Sequence, residues 1–455
     1  MPINSNTPAR ESDSAELHVS IVSKRASFLD LVRDPVQFFT KISDHLGDLA
    51  EIRLGPRRFY VVKSPAMIRD FLVTQAGMFE KFPAGNPKQK LFGKGLLTSE
   101  GALHKRQRRS LQPAFHRDRL RLYVDQMVNT AECVSAGWRD QECVDISAAM
   151  NVLALDVIAK SLFAVTEAEL VADLGKQLHV MLKLVNRFVL PWGDLLMRLP
   201  LRSSRQYRSA SQRLDEIVYK LISNASSSQE TDTLTSMLLD VRHLDGTDLE
   251  EEEIRDEIVT MVVAGHETVA AGLSWCLYLL ARHPDIQEQL AQESGAVLKG
   301  AQPAMADYER LECLQHAFAE SLRMFPPIWI LGRRALQDYS FGDFSAKKGS
   351  VFLVCMADLH RRPEFFEQPE EFRPGRWSNP SWPNYAYLPF GAGERRCIGE
   401  RFAWMEGVFF LACLLRRWRF ELLDRESPSE EDVPSADAKL TLNPRRPIRL
   451  QVLER

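Results

Sequence analysis

The chain has 455 residues, of which 45% are hydrophobic and 26% are charged. This is the composition of a globular protein with enough apolar material for a large core. The formal net charge of −3 excludes the global positive field that nucleic-acid binding needs. None of the seven cysteines forms a C-x-x-C pair, so neither a zinc site nor a disulfide framework is indicated.

The N-terminal residues are polar and rich in serine, and we expect residues 1–23 to be a disordered tail. They contain neither the apolar core of a signal peptide nor a run of roughly 20 apolar residues, so we expect no membrane anchor. No linker divides residues 24–455, which predicts a single domain in a monomeric, cytoplasmic protein.

Helical periodicity dominates the rest of the chain, and a few short segments have the alternation typical of strands. Strands are predicted as a hairpin at 51–63, a single strand at 347–355 and a final pair in RFELL and IRLQV. Helices are predicted at 119–138, 150–163, 170–190, 208–224, 250–282, 284–298, 311–324 and 400–416. Residues 368–389 have neither period, which predicts a long packed loop. The fold class is therefore mainly α with small β-sheets.

The predicted helix at 250–282 includes a stretch that is apolar enough to cross a membrane. His266 and Glu267 lie in the middle of this stretch, where a charge is costly in a bilayer. We therefore expect a long buried helix in a globular protein.

The segment FGAGERRCIGERFAWMEG at 390–407 surrounds one cysteine, Cys397, with glycines and continues into an amphipathic run. Glycine allows positive φ and a close approach of the backbone to a flat ligand. Unpaired N–H groups at a helix start stabilise a thiolate. The segment resembles the F-x-x-G-x-R-x-C-x-G haem-binding pattern of the cytochrome P450 family, with these residues at its fixed positions: Phe390, Gly393, Arg395, Cys397 and Gly399.

This resemblance implies the cytochrome P450 fold, a single triangular, mainly helical domain with small β-sheets. It implies haem b (iron protoporphyrin IX) as the cofactor, with Cys397 as the iron ligand and Phe390 and Gly391 beside the haem. A thiolate ligand donates electron density that favours O–O cleavage.

The segment AGHET at 264–268 lies within the long predicted helix. Ala264 and Gly265 are small enough to let a planar cofactor and dioxygen approach, and they share one face with Thr268. A threonine hydroxyl in a helix can bond the carbonyl four residues back and open the helix locally. The segment resembles the family's oxygen-binding motif, [AG]-G-x-[DE]-T, which implies that Thr268 and Glu267 organise proton delivery to dioxygen. A buried helix with a tolerated polar patch is the alternative.

Glu320 and Arg323 are three residues apart, a spacing that by itself indicates only a solvated pair on a helix face. They resemble the family's E-x-x-R motif, and the segment FRPGRW at 372–377 resembles F-x-P-x-R-[FW]. The resemblance implies that Glu320, Arg323 and Arg376 form a buried charged triad that supports the cysteine loop.

The two haem carboxylates require cationic donors. His104 and Arg108, four residues apart on a predicted helix, resemble the family's [WH]-x-x-x-R pattern. Arg333 follows Pro326 and Pro327 at the family's spacing, and Arg395 lies in the cysteine loop. The resemblance implies that these four residues bind the haem propionates, whereas a basic surface helix is the alternative for His104 and for the arginines.

The function implied is that of a haem-thiolate monooxygenase, which inserts one oxygen atom from O₂ into a small organic substrate. Segments that the resemblance places at the pocket are mostly apolar: 82–98, 180–192, the first half of the long helix and 328–331. They predict an apolar substrate of the terpene, steroid, fatty acid or polyketide kind. Alternatives are a peroxide-dependent or non-oxygenating haem-thiolate enzyme, a haem sensor, and a binding protein without haem.

The chain contains no flavin or iron–sulfur module, so we expect electrons to come from another protein. Basic residues cluster in sequence around His104 and the cysteine loop, and the resemblance places both on the thiolate side of the haem. This predicts docking of an acidic ferredoxin or flavodoxin, supplied by its reductase. The residues are Lys105, Arg106, Arg109, Arg117, Arg119, Arg121, Arg396 and Arg401.

Overall fold

The computed structural model describes residues 19–20, 31, 33–43, 47–54, 57–82, 91–188, 199–227, 233–244, 249–423 and 435–455. Within the expected tail, Val19–Ser20 form strand β1, which pairs in parallel with Leu49 and Ala50. Backbone pairing orders these two positions, and the disordered tail stays a prediction for the rest. The other residues of 1–23 lie outside the described residues.

Helices make up most of the described chain. Their bounds are α1 Pro35–Ser43, α2 Pro65–Arg69, α3 Gly101–Leu111, α4 Arg117–Ala136, α5 Ile146–Phe163, α6 Ala168–Phe188, α7 Arg202–Ser227, α8 Leu234–Leu244, α9 Glu251–Arg282, α10 Pro284–Leu298, α11 Glu312–Met324, α12 Met356–Leu359 and α13 Glu400–Arg417.

The strands form small sheets at the side of the helices. Their bounds are β2 Leu49–Leu54, β3 Arg57–Val62, β4 Phe79–Phe82, β5 Glu142–Asp145, β6 Ile330–Ala335, β7 Tyr339–Phe341, β8 Phe344–Ala346, β9 Val351–Cys355, β10 Trp418–Leu422, β11 Ala436–Ala438, β12 Leu442–Pro444 and β13 Arg449–Glu454. The largest sheet has the order β1-β2-β3-β9-β6-β4, and a second has the order β10-β13-β5. β7 pairs with β8, and β11 pairs with β12.

The central element is α9, a 32-residue helix. It begins with a capping box between Glu250 and Glu253, and acidic residues in its first turn complement the helix dipole. α9 packs against α5, α7, α11 and α13. α5 and α9 are the two described helices that are long and apolar enough to cross a membrane, and most of each is buried inside the protein. The prediction of a long buried helix at 250–282 is confirmed.

The predicted hairpin, the strand near 351 and the final strand pair are confirmed as β2–β3, β9 and β10–β13. The predicted helices occur within a few residues of their expected bounds. The sequence did not predict α1 and α8, which are short, or β4 and β6, which pair with each other. Residues 368–389 contain only a short 3-10 helix at Pro374–Ser378, as expected for a packed loop.

Candidate active site

The cysteine loop is shaped by two glycines with positive φ. Gly391 has φ 70° and Gly393 has φ 68°. A Cβ atom at Gly393 would lie 2.1 Å from the backbone oxygen of Leu72, so no larger residue fits there. The N–H of Cys397 donates to the Phe390 carbonyl over 2.9 Å and closes the loop just before α13.

Cys397 has an exposed side chain, although burial among protein atoms raises the pKa of its thiol to about 11. The Gly399 N–H and the charges of Arg108 and Arg396 lower the pKa by less than burial raises it. Stabilisation of a thiolate by the helix start stays a prediction, and the Gly399 N–H acts in that direction. Coordination to a metal ion would deprotonate the thiol.

The AGHET segment is the most exposed part of the middle of α9. Ala264 is exposed, whereas most of α9 is buried. The Thr268 hydroxyl donates to the Ala264 carbonyl over 2.7 Å, which is the local bond expected from the sequence. A Cβ atom at Gly265 would lie 2.5 Å from Cδ1 of Ile158, so this glycine lets α5 approach α9. Packing of α5 against α9 therefore explains why residue 265 is a glycine. Contact of Gly265 with a cofactor stays a prediction.

Glu267 points to the β11–β12 hairpin. Its Oε1 atom accepts hydrogen bonds from the Thr441 hydroxyl at 2.9 Å and from Asn443 Nδ2 at 3.2 Å. Its Oε2 atom is buried and has no hydrogen-bond partner among the described residues. Burial raises the pKa of this carboxyl, and the two hairpin donors partly oppose the increase. The sequence did not reveal Thr441 and Asn443, because they follow Glu267 by more than 170 residues.

The four predicted propionate ligands lie together, and Lys81 of β4 joins them. Burial and the charges of Arg395 and Lys81 lower the pKa of His104 to about 3. Burial and Arg395 lower the pKa of Arg333 to about 10, and the same two causes lower the pKa of Lys81 to about 7. His104, Arg333 and Lys81 therefore each lie in the positive field of Arg395.

The hydrogen bonds of this cation cluster (Lys81, His104, Arg108, Arg333 and Arg395) go mainly to backbone oxygens. Arg108 Nη1 donates to the Arg396 carbonyl at 2.8 Å, and Arg333 Nη1 donates to the Gly332 carbonyl at 2.9 Å. Lys81 Nζ donates to the carbonyls of Leu96 and Leu97 at 2.9 and 2.6 Å.

Among the described residues, the carboxylate that pairs directly with the cation cluster is Glu100, which contacts Arg395. The cluster thus keeps an excess of positive charge beside the loop of Cys397. A ligand with two carboxylates next to a metal ion fits both features. Lys81 was missed because a lone lysine in a short strand gives no motif.

Two comparisons with known proteins assign the chain to a family. The family model for Cytochrome P450 matches residues 26–452. The chain belongs to the cytochrome P450 family. It is accordingly a haem monooxygenase, and the predicted fold is confirmed.

Several cytochrome P450 relatives match over most of their length. Cyclooctatin synthase of Streptomyces melanosporofaciens is 33% identical and covers 92% of each chain. Cyclooctat-9-en-7-ol 5-monooxygenase of the same organism is 33% identical over 86% of each chain. Pentalenene oxygenase of Streptomyces avermitilis is 32% identical over 93% of this chain and 94% of its own.

The triad that the P450 motifs imply is present and buried. Arg323 binds both oxygens of Glu320, and Arg376 Nε donates to Glu320 Oε1 at 2.9 Å. Trp377 Nε1 and the backbone N–H of Arg373 also donate to this carboxylate. Glu320 and Arg323 are fully buried, so the pair is not the solvated contact that their spacing alone indicates.

The basic surface of this P450 is smaller than its sequence indicates. Lys105 pairs with Glu394 at 3.4 Å, and Arg396 pairs with Glu400 at 2.7 Å. Arg106 is partly buried and pairs with Glu253 of α9 at 2.7 Å, which removes it from the surface patch. The residues that remain exposed, with no ion-pair partner among the described residues, are Arg109, Arg117, Arg121 and Arg401.

Part of the expected pocket wall is described. Ile328 is 38% exposed, whereas Trp329 beside it is buried and donates from Nε1 to the Lys439 carbonyl at 3.1 Å. Val262 and Val263 are buried in the apolar core of the helices. The side chains of 188–190, which the sequence also suggested for this wall, lie outside the described residues.

Proposed function

We propose that this cytochrome P450 binds haem b through Cys397 and inserts one oxygen atom from O₂ into a small apolar terpene. When bound, the haem supplies oxygen activation. The observation that carries the proposal is the cation cluster beside the loop of Cys397. A monovalent anion would leave this cluster undercompensated, whereas the two propionates of haem b match its charge and its position.

The ligands of the haem follow from this placement. Cys397 would bind the iron, and His104, Arg108, Arg333 and Arg395 would donate to the propionates, with Lys81 as a further cation. Phe390, Gly391, Ala264 and Gly265 would flank the ring. His104 can serve as a neutral donor because its lowered pKa keeps the imidazole uncharged at neutral pH.

Thr268 and Glu267 would manage protons. The Thr268 hydroxyl lies at the exposed turn of α9 and donates to the Ala264 carbonyl, so its oxygen can accept a hydrogen bond and pass on its own proton as it takes up another. Burial raises the pKa of the Glu267 carboxyl, which favours its protonated form and suits it to carry a proton. Together they would conduct protons to dioxygen while the pocket excludes bulk water.

A terpene is favoured as the substrate class. The names of two relatives specify oxidation of cyclooctat-9-en-7-ol and of pentalenene, an unsaturated alcohol and an unsaturated hydrocarbon. The described pocket segment, Ile328–Leu331, carries no charge, and such a wall holds a substrate by burial of apolar surface.

The electron donor would be an acidic ferredoxin or flavodoxin, reduced by its own reductase. Arg109, Arg117, Arg121 and Arg401 would attract it to the thiolate side of the haem. We further propose that the enzyme acts as a cytoplasmic monomer.

The test is reconstitution of the purified haem protein with a ferredoxin, its reductase and NADPH, with a panel of cyclic terpenes. A displacement of the iron's water ligand in the visible spectrum selects the substrates that bind, and product analysis follows. Transfer of one ¹⁸O atom from ¹⁸O₂ to a terpene is expected. Turnover with hydrogen peroxide alone, and none with the electron donor, would favour the peroxide-dependent alternative. Extraction of the cofactor identifies its haem type.

A further inference from the structure

We propose that Thr441 and Asn443 of the β11–β12 hairpin are positioning residues for proton transfer, because they hold the carboxyl of Glu267 in one orientation. The proposal rests on the proton-carrying role proposed above for Glu267. It adds a specific element, the C-terminal hairpin, to the part of the protein that controls proton delivery.

The hydrogen bonds at Glu267 have a defined direction. Asn443 Nδ2 donates to the Thr441 hydroxyl oxygen at 2.8 Å, so the hydroxyl proton is directed to Glu267 Oε1. Asn443 Nδ2 also donates to Oε1, at 3.2 Å. Two donors at Oε1 leave Oε2 as the atom that carries the proton.

The proton balance follows from this arrangement. The O–H bond at Oε2 breaks and the proton leaves in the direction of the Thr268 site. The negative charge that remains is stabilised at Oε1 by the two hairpin donors, and a proton from water then restores the acid. A hydrogen bond to the charged form lowers the cost of this ionisation in a buried site.

The hairpin is fixed at the residue between the two donors. The carbonyl of Leu442 accepts from Trp275 Nε1 at 3.0 Å, and its N–H donates to the Pro327 carbonyl at 2.8 Å. Alternate residues of an extended strand point to the same side, so Thr441 and Asn443 face Glu267 together. Trp275 lies eight residues after Glu267, about two turns further along α9, so both residues of this helix hold the hairpin.

The hairpin also contacts the expected pocket wall around Ile328. Pro327 and Trp329, which flank Ile328, each form a hydrogen bond with the hairpin. The charged group of the hairpin that acts on Glu267 is Lys439, which also pairs with Asp437. If a substrate displaces the 327–329 segment, the displacement would be transmitted to Glu267 through Leu442 and Thr441.

The experiment measures the Glu267 carboxyl directly in the haem-loaded full chain. The infrared C=O band of the protonated acid is assigned as the band lost in Glu267→Gln, and it is titrated with pH. In Thr441→Val and Asn443→Leu the midpoint is expected to rise by about one pH unit, because each loses a donor to the carboxylate. Thr441→Ser is expected to restore the wild-type midpoint.

The matched control is Thr130→Val. Thr130 is also buried, and its hydroxyl donates to the carboxylate of Asp156 at 3.1 Å, on α4 and α5. The substitution removes a buried hydroxyl–carboxylate bond elsewhere in the protein, and the Glu267 midpoint is expected to stay unchanged.

Coupling of electron use to product is the second readout. Thr441→Val is expected to lower coupling in the wild-type background and to have no further effect in Glu267→Gln, as for two groups that act in one path. An unchanged Glu267 midpoint in Thr441→Val would overturn the positioning proposal. A raised midpoint together with full coupling in Glu267→Gln would instead overturn the proposed role of Glu267.

Discussion

Arg323 donates from Nη1 to the backbone oxygen of His360 at 2.8 Å. The imidazole Nε2 of His360 in turn accepts from the N–H of Leu388 at 2.9 Å, and both side chains are fully buried. His360 therefore connects the triad to the segment that enters the cysteine loop at Phe390. The triad supports the loop through this intermediate residue.

His360 predicts a pH dependence of stability. Burial and the charge of Arg323 lower its pKa from 6.5 to about 3. The unfolded chain binds this proton at higher pH than the folded protein does, so stability present above pH 6.5 is lost as pH falls toward 3. Between pH 6.5 and 5, the free energy of unfolding should fall by on the order of 2 kcal/mol more in wild type than in His360→Gln. Urea denaturation at both pH values measures this difference, and the same substitution at exposed His116 should behave like wild type.

Removal of the triad's carboxylate should disrupt folding around the haem. Glu320→Ala leaves Arg323 and Arg376 as uncompensated buried charges, at a cost of roughly 3–5 kcal/mol. Haem content and melting temperature should both fall. Glu216→Ala breaks the exposed i,i+3 pair with Arg213 and should change stability by less than about 0.5 kcal/mol. Normal haem content in Glu320→Ala would contradict a supporting role for the triad.

Cys397→Ala should abolish the absorption band of the reduced carbon-monoxide complex that gives the family its name. Among the described cysteines, Cys276, Cys355 and Cys413 are buried in the apolar cores, outside the glycine-shaped loop that precedes α13. None of these three is placed to replace Cys397 as a thiolate ligand. Cys276→Ala is the control and should keep the band. A band of full intensity in Cys397→Ala would exclude Cys397 as the ligand.

Thr268→Ala should keep haem and substrate binding but divert electrons to hydrogen peroxide or water. The substitution removes a hydroxyl at the open turn of α9 without changing the iron ligand. The ratio of product to NADPH consumed, measured beside peroxide release, checks this. Thr268→Ser retains a hydroxyl and should recover most of the coupling. Unchanged coupling in the alanine variant would make Thr268 a packing residue.

Reversal of charge at Arg109 and Arg117 should slow the first electron transfer from an acidic donor by at least roughly tenfold. Exposed charges act within a Debye length of about 8–10 Å, so added salt should slow wild type and have little effect on the variant. Stopped-flow reduction at several ionic strengths gives both results. The control is the double variant Lys347→Glu and Lys348→Glu, whose two lysines directly follow strand β8. A rate of electron transfer that changes neither with salt nor with charge reversal would contradict docking at this surface.

The sequence by itself determined the family and the order of the main elements, and it predicted most of the candidate site. Local patterns carry this information, since the cysteine loop, the AGHET turn and the E-x-x-R pair are each defined within a few residues. The apolar period predicted α9 because one helix buried on nearly every side needs a long apolar run.

Tertiary structure decided what these residues do to one another. It turned Glu320–Arg323 from a spacing typical of solvated pairs into a fully buried pair that Arg376 joins, and it paired three of the eight basic residues with Glu394, Glu400 and Glu253. It also brought Lys81 to the cation cluster and Thr441 to Glu267, across more than 170 residues in the second case. Such pairs depend on where helices and hairpins pack, because burial and neighbouring charge, rather than residue type, set the pKa values and hydrogen bonds of a site.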